Sequence, residues 1–186
     1  MADTTTKTET DIEVRPIGPD DMDAMAALDE ESEYDIYEDY VDDIEEDAND
    51  CLWGVFDDGE LKGFCVMCDA DDPDFPDVIL NHPLNTSGSI FLSNVFVTED
   101  ARDAGYGTRL VHDAIAQRFA SDGEAGVFLD IADYLDDSEW SIDKLEHFLI
   151  EFFERVGFTL IKDDPDDDTI TIMVLDPKNL TDPTAE

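Results

Sequence analysis

Residues 89–119 restrict the possible folds of this chain more than any other segment does. Residues 89–97 are almost continuously apolar, as expected for a strand that is buried on both faces of a sheet. A loop with Gly105 and Gly107 follows, and apolar residues then recur at helical spacing from Leu110 to Phe119. A buried strand that continues through a short glycine loop into an amphipathic helix predicts a domain in which helices pack on a sheet.

Further strands and helices are predicted on both sides of this segment. The hydrophobic pattern predicts strands at residues 12–17, 51–56, 61–68, 127–131, 158–161 and 169–175, and helices at residues 20–28, 36–44 and 145–156. Residues 69–88 are predicted to form a long loop with three prolines. The order β-α-α-β-β-β-α-β-α-β-β indicates one α+β or mixed α/β domain over residues 11–177. Residues 1–10 and 178–186 are predicted to be flexible tails.

The charge of the chain excludes several classes of partner. Ten lysine and arginine residues against 51 aspartate and glutamate residues give a formal net charge of -41, so nucleic acid and anionic membranes would be repelled. The acidic residues are spread along the whole chain, and a hydrophobic content of 42% indicates a folded protein. At 1 M salt the Debye length is about 3 Å, which screens most of the self-repulsion. We therefore expect a cytoplasmic protein of an extreme halophile; an acidic mesophilic protein and a nucleic-acid mimic are the alternatives.

The cysteines and the apolar runs predict neither a metal site nor a membrane protein. Cys65 and Cys68 form a C-x-x-C inside an apolar strand, and Cys51 is the third thiol. A structural zinc site needs four ligands and a turn between such a pair, so buried thiols are expected instead. No run of 18 apolar residues is present, and residues 1–10 lack the apolar segment of a signal peptide.

The loop between residues 97 and 110 predicts an anion-binding site. Glycines allow the backbone to approach a ligand closely, and the N–H groups at a helix start bind anions. Residues 101–119 contain three arginines and two aspartates, a net charge of +1 in a very acidic chain. A buried helix without room for acidic residues is the alternative explanation. The loop has neither the third glycine of the dinucleotide-binding fingerprint nor the Gly-Lys-Ser/Thr of a Walker loop.

Two segments of the chain resemble the GNAT acetyltransferase superfamily. Arg102-x-x-Gly105-x-Gly107 is similar to the R/Q-x-x-G-x-G/A signature of that family, and the segment FFERVGF, residues 152–158, is similar to its late F-Y-E-K-x-G-F segment. The similarity spans residues 12–175. It implies a GNAT-like fold: a central, mostly antiparallel, twisted sheet with strands four and five parallel and splayed, and helices on both faces.

The resemblance also implies acetyl-CoA as co-substrate, with no metal. The backbone groups of Val95 and Val97 would pair with the pantetheine arm. A fourth-strand N–H would polarise the thioester carbonyl. The pyrophosphate would be held by the amides of Arg102, Asp103, Ala104, Gly105, Tyr106, Gly107 and Thr108.

The catalytic side chains of the family are not all present. Phe153 stands where many relatives have a tyrosine that protonates the leaving thiolate, and Phe91 stands where some have a glutamate base. Tyr134, just after the fifth strand, is our candidate for the acid, with solvent or a packing role for this tyrosine as alternatives. His82 and Trp140 are further candidates to line an acceptor pocket, with ordinary packing again the alternative.

The sequence therefore predicts an N-acetyltransferase in which an amine attacks acetyl-CoA directly within a ternary complex. The acceptor would be an amine-bearing small molecule or a protein amino group, and a homodimer is one option for the assembly. A non-catalytic acyl-CoA-binding sensor or partner-binding module is the main alternative. A third hypothesis is an acidic interaction protein without a coenzyme site.

Overall fold

The computed structural model describes residues 12–32, 36–46, 49–119, 125–131, 142–163 and 171–181. In these residues the strands are β1 (Ile12–Pro16), β2 (Leu52–Asp57), β3 (Glu60–Asp69), β4 (Ile90–Val97), β5 (Val127–Asp130), β6 (Thr159–Asp163) and β7 (Thr171–Leu175). The α-helices are α1 (Met22–Ser32), α2 (Tyr37–Glu45), α3 (Asp77–Leu80), α4 (Tyr106–Arg118) and α5 (Ile142–Val156). The predicted mixed order of strands and helices is confirmed, with α3 as an addition.

The strands form one sheet in the order β1-β2-β3-β4-β5-β7-β6. β4 and β5 run parallel to each other, and every other neighbouring pair is antiparallel. β4 pairs with β5 only through Ile90–Val127 and Phe91–Phe128, whereas β5 stays paired with β7 as far as Asp130. The predicted parallel and splayed pair in the centre of the sheet is therefore confirmed.

A β-bulge at Ser93 lies where β4 leaves β5. Met67 of β3 is opposite Leu92, but the next β3 residue towards the N-terminus, Val66, is opposite Asn94, so Ser93 is an extra residue. A bulge bends its strand and increases the local twist. Residues 90–92 are buried, whereas residues 93–97 are only half-buried. The bulge thus marks the boundary between the core part of β4 and its more accessible part.

Helices cover both faces of the sheet, as expected. On one face, α4 and α5 pack on alternate strand residues such as Ile90 and Leu92, and the apolar stripe of α5 ends in Phe153 and Val156. On the other face, α1 and α2 pack on β2 and β3. The segment between β3 and β4 covers the rest of that face, over Phe91 of β4.

The prediction of a structureless loop at residues 69–88 is wrong in one respect. Residues 77–80 form the single turn of α3, and Ile79 is fully buried against the sheet. The side-chain amide of Asn85 donates to the carbonyls of Ala70 (3.2 Å) and Ile79 (3.0 Å), which fixes the segment. One helical turn is too short to give a periodic hydrophobic pattern, so the sequence could not reveal it.

Cys65 and Cys68 lie in β3, and Cys51 directly precedes β2. Cys65 is buried, and Cys51 and Cys68 are half-buried. Burial raises the pKa of the Cys51 thiol to about 12, with the neighbouring Asp50 carboxylate adding to the effect. In the part of the chain that the structure describes, no cluster of metal-binding side chains is found. No helix of that part is long and apolar enough to cross a bilayer.

Candidate functional site

The divergence of β4 and β5 opens a slot in the centre of the sheet. Thr98 N–H, just after β4, donates to the Lys62 carbonyl of β3 at 3.0 Å. In an antiparallel ladder, hydrogen-bonded and non-hydrogen-bonded pairs alternate, so the neighbouring residue Val97 directs its N–H and C=O away from β3. The same holds two residues earlier for Val95. Both backbone units therefore point to the side of β4 that β5 has left.

The loop after β4 turns sharply into α4. A 3-10 turn at Glu99–Ala101 is followed by two left-handed residues, Asp103 (φ 62°) and Gly105 (φ 85°). Gly105 is the N-cap of α4, and no side chain caps this helix. A glycine is needed at this cap because its φ is one that side chains disfavour.

The first turn of α4 presents N–H groups to the mouth of the slot. The first helical hydrogen bond runs from Arg109 N–H to the Gly105 carbonyl at 3.0 Å. The N–H groups of Gly107 and Thr108 precede it, and no acceptor for either occurs among the described residues. The first turn also contains no acidic residue. Unpaired amides together with the positive end of the helix dipole form an anion-binding arrangement.

Gly107, unlike Gly105, has a backbone conformation that other residues adopt. Its backbone is helical, and a Cβ at this position would lie 3.5 Å from the nearest side-chain atoms, in Phe152 and Val97. That is an ordinary van der Waals distance, so neither the backbone nor the packing requires glycine here. A methyl group would therefore fit at this position without a change in the backbone or in the packing.

The local positive charge predicted for residues 101–119 is largely neutralised in the structure. Arg109 donates through Nε to Asp113 at 2.8 Å, and Arg118 lies 3.4 Å from Asp50. Arg102 instead donates through Nε to the Val97 carbonyl at 3.2 Å, which ties the loop to the end of β4. The predicted charge excess is therefore weaker evidence for an anion site than the unpaired amides are.

The start of the loop is fixed to the β2–β3 hairpin. Thr98 Oγ1 donates to the Lys62 carbonyl at 3.2 Å, and Lys62 Nζ contacts Glu60 (2.9 Å) and Asp100 (3.1 Å). Hydrogen bonds to the carboxylates of Glu60 and Asp100 raise the pKa of Lys62. Hydrogen bonds from Thr98 and then Lys62 lower the pKa of Asp100.

The end of the loop is fixed to the same hairpin by a contact that sequence reasoning missed. The hydroxyl of Tyr106 donates to Asp57 Oδ2 at 2.7 Å. Asp57 is the last residue of β2 and is only 9% exposed. The two residues are 49 positions apart and belong to no shared pattern, so no signal in the sequence could have joined them.

On the other side of the slot, α5 presents an apolar surface. Phe153 is 1% exposed, and its ring lies edge-on to Phe152 (4.9 Å between centroids) and to Phe158 (5.5 Å). Phe91 is also buried, with its ring 4.6 Å from Phe75. Neither position therefore holds a group that can donate or accept a proton.

The other predicted side chains of the acceptor side are only partly described. Tyr134 and Trp140 lie outside the described residues. His82 is half-buried, its ring is 5.4 Å from that of Phe128, and its Nδ1 accepts the Leu84 N–H at 3.2 Å. His82 thus lies on the face opposite α4 and α5, near the narrow end of the slot.

A polar cluster at the end of β5 was not predicted. Asp130 Oδ1 accepts the Thr171 N–H at 3.1 Å, and Thr171 Oγ1 donates to Glu146 of α5 at 3.0 Å. The cluster joins β5, β7 and α5 beyond the point where β4 has separated. The three residues come from distant segments of the chain, so no sequence pattern could have joined them.

A bulged central strand, a slot beside it and an uncapped helix at its mouth define a protein with the acetyltransferase fold predicted above. The model of the Acetyltransferase (GNAT) family matches residues 19–158, which is most of the chain. The protein belongs to the GNAT acetyltransferase family.

Solved structures show the same fold at low sequence identity. A chimera of the Vibrio cholerae spermidine N-acetyltransferase SpeG and hSSAT is 13% identical, with a TM-score of 0.59 over 91% of this chain and 97% of the other. The ribosomal-protein-S18-alanine N-acetyltransferase of Escherichia coli is 14% identical, with a TM-score of 0.56 over 88% and 92%. PaiA N-acetyltransferase of Thermoplasma acidophilum, in complex with coenzyme A, is 14% identical, with a TM-score of 0.52 over 89% and 98%. No curated protein matches the chain in sequence.

Proposed function

We propose that this protein transfers the acetyl group of acetyl-CoA to a primary amine within a ternary complex. The observation that carries the proposal is the slot beside β4, which leads to the unpaired amides of Gly107 and Thr108. Membership of the GNAT acetyltransferase family supports the same donor.

The residues along the slot fit the chemistry of acetyl-CoA. The pantetheine arm contains two amides, which suit the outward-facing backbone groups of Val95 and the N–H of Val97. The Val97 carbonyl already accepts a hydrogen bond from Arg102 Nε at 3.2 Å. The pyrophosphate is an anion that suits the amides from Asp103 to Thr108 and the dipole of α4. The Arg102 amide, which the resemblance also implied as a ligand, instead donates to the Thr98 carbonyl at 3.1 Å. The thioester would then lie towards the narrow end of the slot, near the bulge at Ser93.

The reaction needs a neutral amine and a polarised thioester carbonyl. The amine nitrogen bonds to the carbonyl carbon, the carbon–sulfur bond breaks, and the amine loses a proton. A backbone N–H of β4 would stabilise the oxyanion that forms on attack, and alignment of the two reactants would supply much of the rate. The leaving thiolate is the conjugate base of a thiol with a pKa near 8.5, so solvent can protonate it. Tyr134 remains our candidate for an internal acid, since Phe153 has no proton to give.

The acceptor is an amine of a small molecule or of a protein. Solved structures with the same fold bear names that point to spermidine in one case and to a ribosomal-protein alanine in another. The net charge of -41 favours a cationic acceptor, and molar salt would screen this attraction strongly. The same charge supports our proposal that the protein works in the cytoplasm of an extreme halophile.

A non-catalytic sensor of acyl-CoA is the second candidate. It is favoured by Phe153, which is packed between two other aromatic rings at the position where many relatives have a tyrosine. A sensor would bind acetyl-CoA and transfer nothing.

The deciding experiment is a thermal-shift titration with CoA and acetyl-CoA in about 2 M KCl, followed by turnover against a panel of amines. Stabilisation by both ligands and thiol release with at least one amine are expected, because a ligand that binds only the native state raises its apparent stability. Stabilisation without turnover for any small or peptidyl amine would favour the sensor. A cooperative melt that neither ligand shifts would overturn both functions.

A further inference from the structure

The first turn of α4 has to meet two opposing requirements. A helix start is normally stabilised by a side-chain cap, which contributes about 1 kcal/mol. Such a cap would occupy the amides that the proposed coenzyme site needs, and α4 has none. Its start also follows two left-handed residues, Asp103 and Gly105. The orientation of this turn must therefore be fixed by a contact that leaves its backbone amides unpaired.

Tyr106 provides a contact of this kind. It is the first residue of α4, and its hydroxyl reaches away from the loop to Asp57 Oδ2 at 2.7 Å. A rigid aromatic ring with two torsion angles transmits the position of its hydroxyl to the backbone better than a flexible chain would. A hydrogen bond to a carboxylate is also stronger than one between neutral groups.

Asp57 is a well-fixed anchor for this bond. It is the last residue of β2 and is in register with Ile12 of β1 on one side and Glu60 of β3 on the other. Its surroundings leave it only 9% exposed. Most acidic residues of a chain with this charge face solvent, so a nearly buried carboxylate that accepts a tyrosine hydroxyl has a specific role.

The β2–β3 hairpin thus holds both ends of the loop. Thr98 and Asp100 bind Lys62 at the start, and Tyr106 binds Asp57 at the end. The unpaired amides of Gly107 and Thr108 follow directly after Tyr106, in the first turn of α4. The hairpin fixes the loop from behind and leaves its ligand-facing side open.

We propose that Tyr106 and Asp57 form a positioning pair that sets the first turn of α4 for binding the pyrophosphate of acetyl-CoA. This inference rests on the proposed function. The pair touches no reacting atom, so its removal raises the Kd and the KM for acetyl-CoA and leaves kcat at saturating coenzyme unchanged.

The test compares Tyr106→Phe with Gln117→Ala. Gln117 Nε2 donates to the Val14 carbonyl at 2.7 Å, so this variant also removes a hydrogen bond between α4 and the sheet, but at the far end of the helix. Calorimetric titration of CoA in about 2 M KCl should give a Kd about tenfold higher for Tyr106→Phe, since the lost bond has a charged acceptor. Gln117→Ala should lower the Tm and leave the Kd within twofold of the original protein.

Asp57 variants separate the hydrogen bond from the carboxylate charge. Asp57→Asn keeps an oxygen acceptor and should retain most of the CoA affinity, whereas Asp57→Ala should match Tyr106→Phe. The double variant Asp57→Ala with Tyr106→Phe should bind CoA no more weakly than either single variant, because the two substitutions remove the same hydrogen bond.

The outcomes distinguish the inference from the proposed function. If the original protein binds CoA and Tyr106→Phe binds it equally well, the positioning pair is wrong and the function stands. Additive effects of the two substitutions would also overturn the pair. If the original protein binds no CoA, the function and the inference fail together.

Discussion

The two walls of the slot present different chemical groups, backbone on one side and side chains on the other. The α4 wall consists of backbone groups. They come from Val95 and Val97 of β4, from the glycine loop and from the first turn of α4. The α5 wall consists of side chains, with Phe152 and Phe153 packed edge to ring. The first wall agrees with the GNAT signature at its arginine and both glycines, and the second departs from the family at its catalytic tyrosine.

This difference shows which part of a site can vary within a family. A backbone site needs only a few glycines and correct dihedral angles, so a chain can replace most surface residues with acids and keep it. A catalytic side chain is lost by a single substitution. The fold and the α4 wall therefore indicate acetyl-CoA as the acetyl donor. The α5 wall does not indicate which group donates the proton to the leaving thiolate.

The largest effect is expected for Gly105→Val. A β-branched residue is strained at φ 85°, so the start of α4 must rearrange, and we expect CoA affinity to fall by about a hundredfold or more. Gly88→Val is the matched control: its φ is 91°, a Cβ there also has nothing within 4 Å, and it lies in the segment between β3 and β4. Both variants should lose similar stability in thermal melts. Equal CoA binding by both would show that the loop is only structural.

A smaller effect is expected when a hydroxyl is added to the α5 wall. Phe153→Tyr places a polar group in a packed aromatic cluster, and we expect a loss of about 1–3 kcal/mol in the free energy of unfolding in molar KCl. Phe148→Tyr is the control on the same helix. Phe148 is 42% exposed, so the hydroxyl of the introduced tyrosine would reach solvent. A stable Phe153→Tyr protein with faster turnover would instead show that this ring faces the reacting atoms.

A still smaller effect is expected for the dependence of CoA affinity on salt concentration. The loop at the α4 wall carries the acidic residues Glu99, Asp100 and Asp103, which repel the phosphates of CoA. We expect CoA to bind more tightly as KCl rises over the range in which the protein stays folded. Asp103→Asn should raise low-salt affinity by roughly two- to fivefold and flatten the salt dependence. Asp77→Asn, on α3, should change neither the low-salt CoA affinity nor its salt dependence. Equal effects of Asp103→Asn and Asp77→Asn would show that the repulsion comes from the whole surface rather than from the loop.

The smallest effect is expected for Gly107→Ala. The added methyl group makes only ordinary contacts at 3.5 Å, and alanine favours a helix by about 1 kcal/mol over glycine. We expect equal or slightly higher stability and a change in CoA affinity below about twofold, since the family signature allows alanine here. Gly107→Leu should abolish binding, measured by the same titration. A tolerant Gly107→Leu variant would place the ligand away from the first turn.

Much of the fold could be predicted from the sequence because it depends on local patterns. Each local pattern predicts the element that the same residues form. Examples are the apolar run at residues 89–97, the glycine loop and the apolar stripe of α5. The remaining features depend on contacts between distant segments. The bond from Tyr106 to Asp57 and the pairing of Arg118 with Asp50 follow no spacing rule. The turn of α3 is too short for a period to appear. Tyr134, our candidate acid, stays a prediction.

The outward-facing groups of β4 also bear on how the protein would associate with other chains. Beyond Phe91 this strand has no sheet partner on that side among the described residues, so it has an open edge there. Val95 and the N–H of Val97 face this edge, whereas the Val97 carbonyl accepts a hydrogen bond from Arg102 Nε. An open edge is a template for pairing with a second chain, which is the usual start of aggregation. The pantetheine arm, with its two amides, would act as a substitute strand that closes this edge. Acetyl-CoA would then be a protective ligand during synthesis, and the dense negative charge of the surface would keep unliganded copies apart.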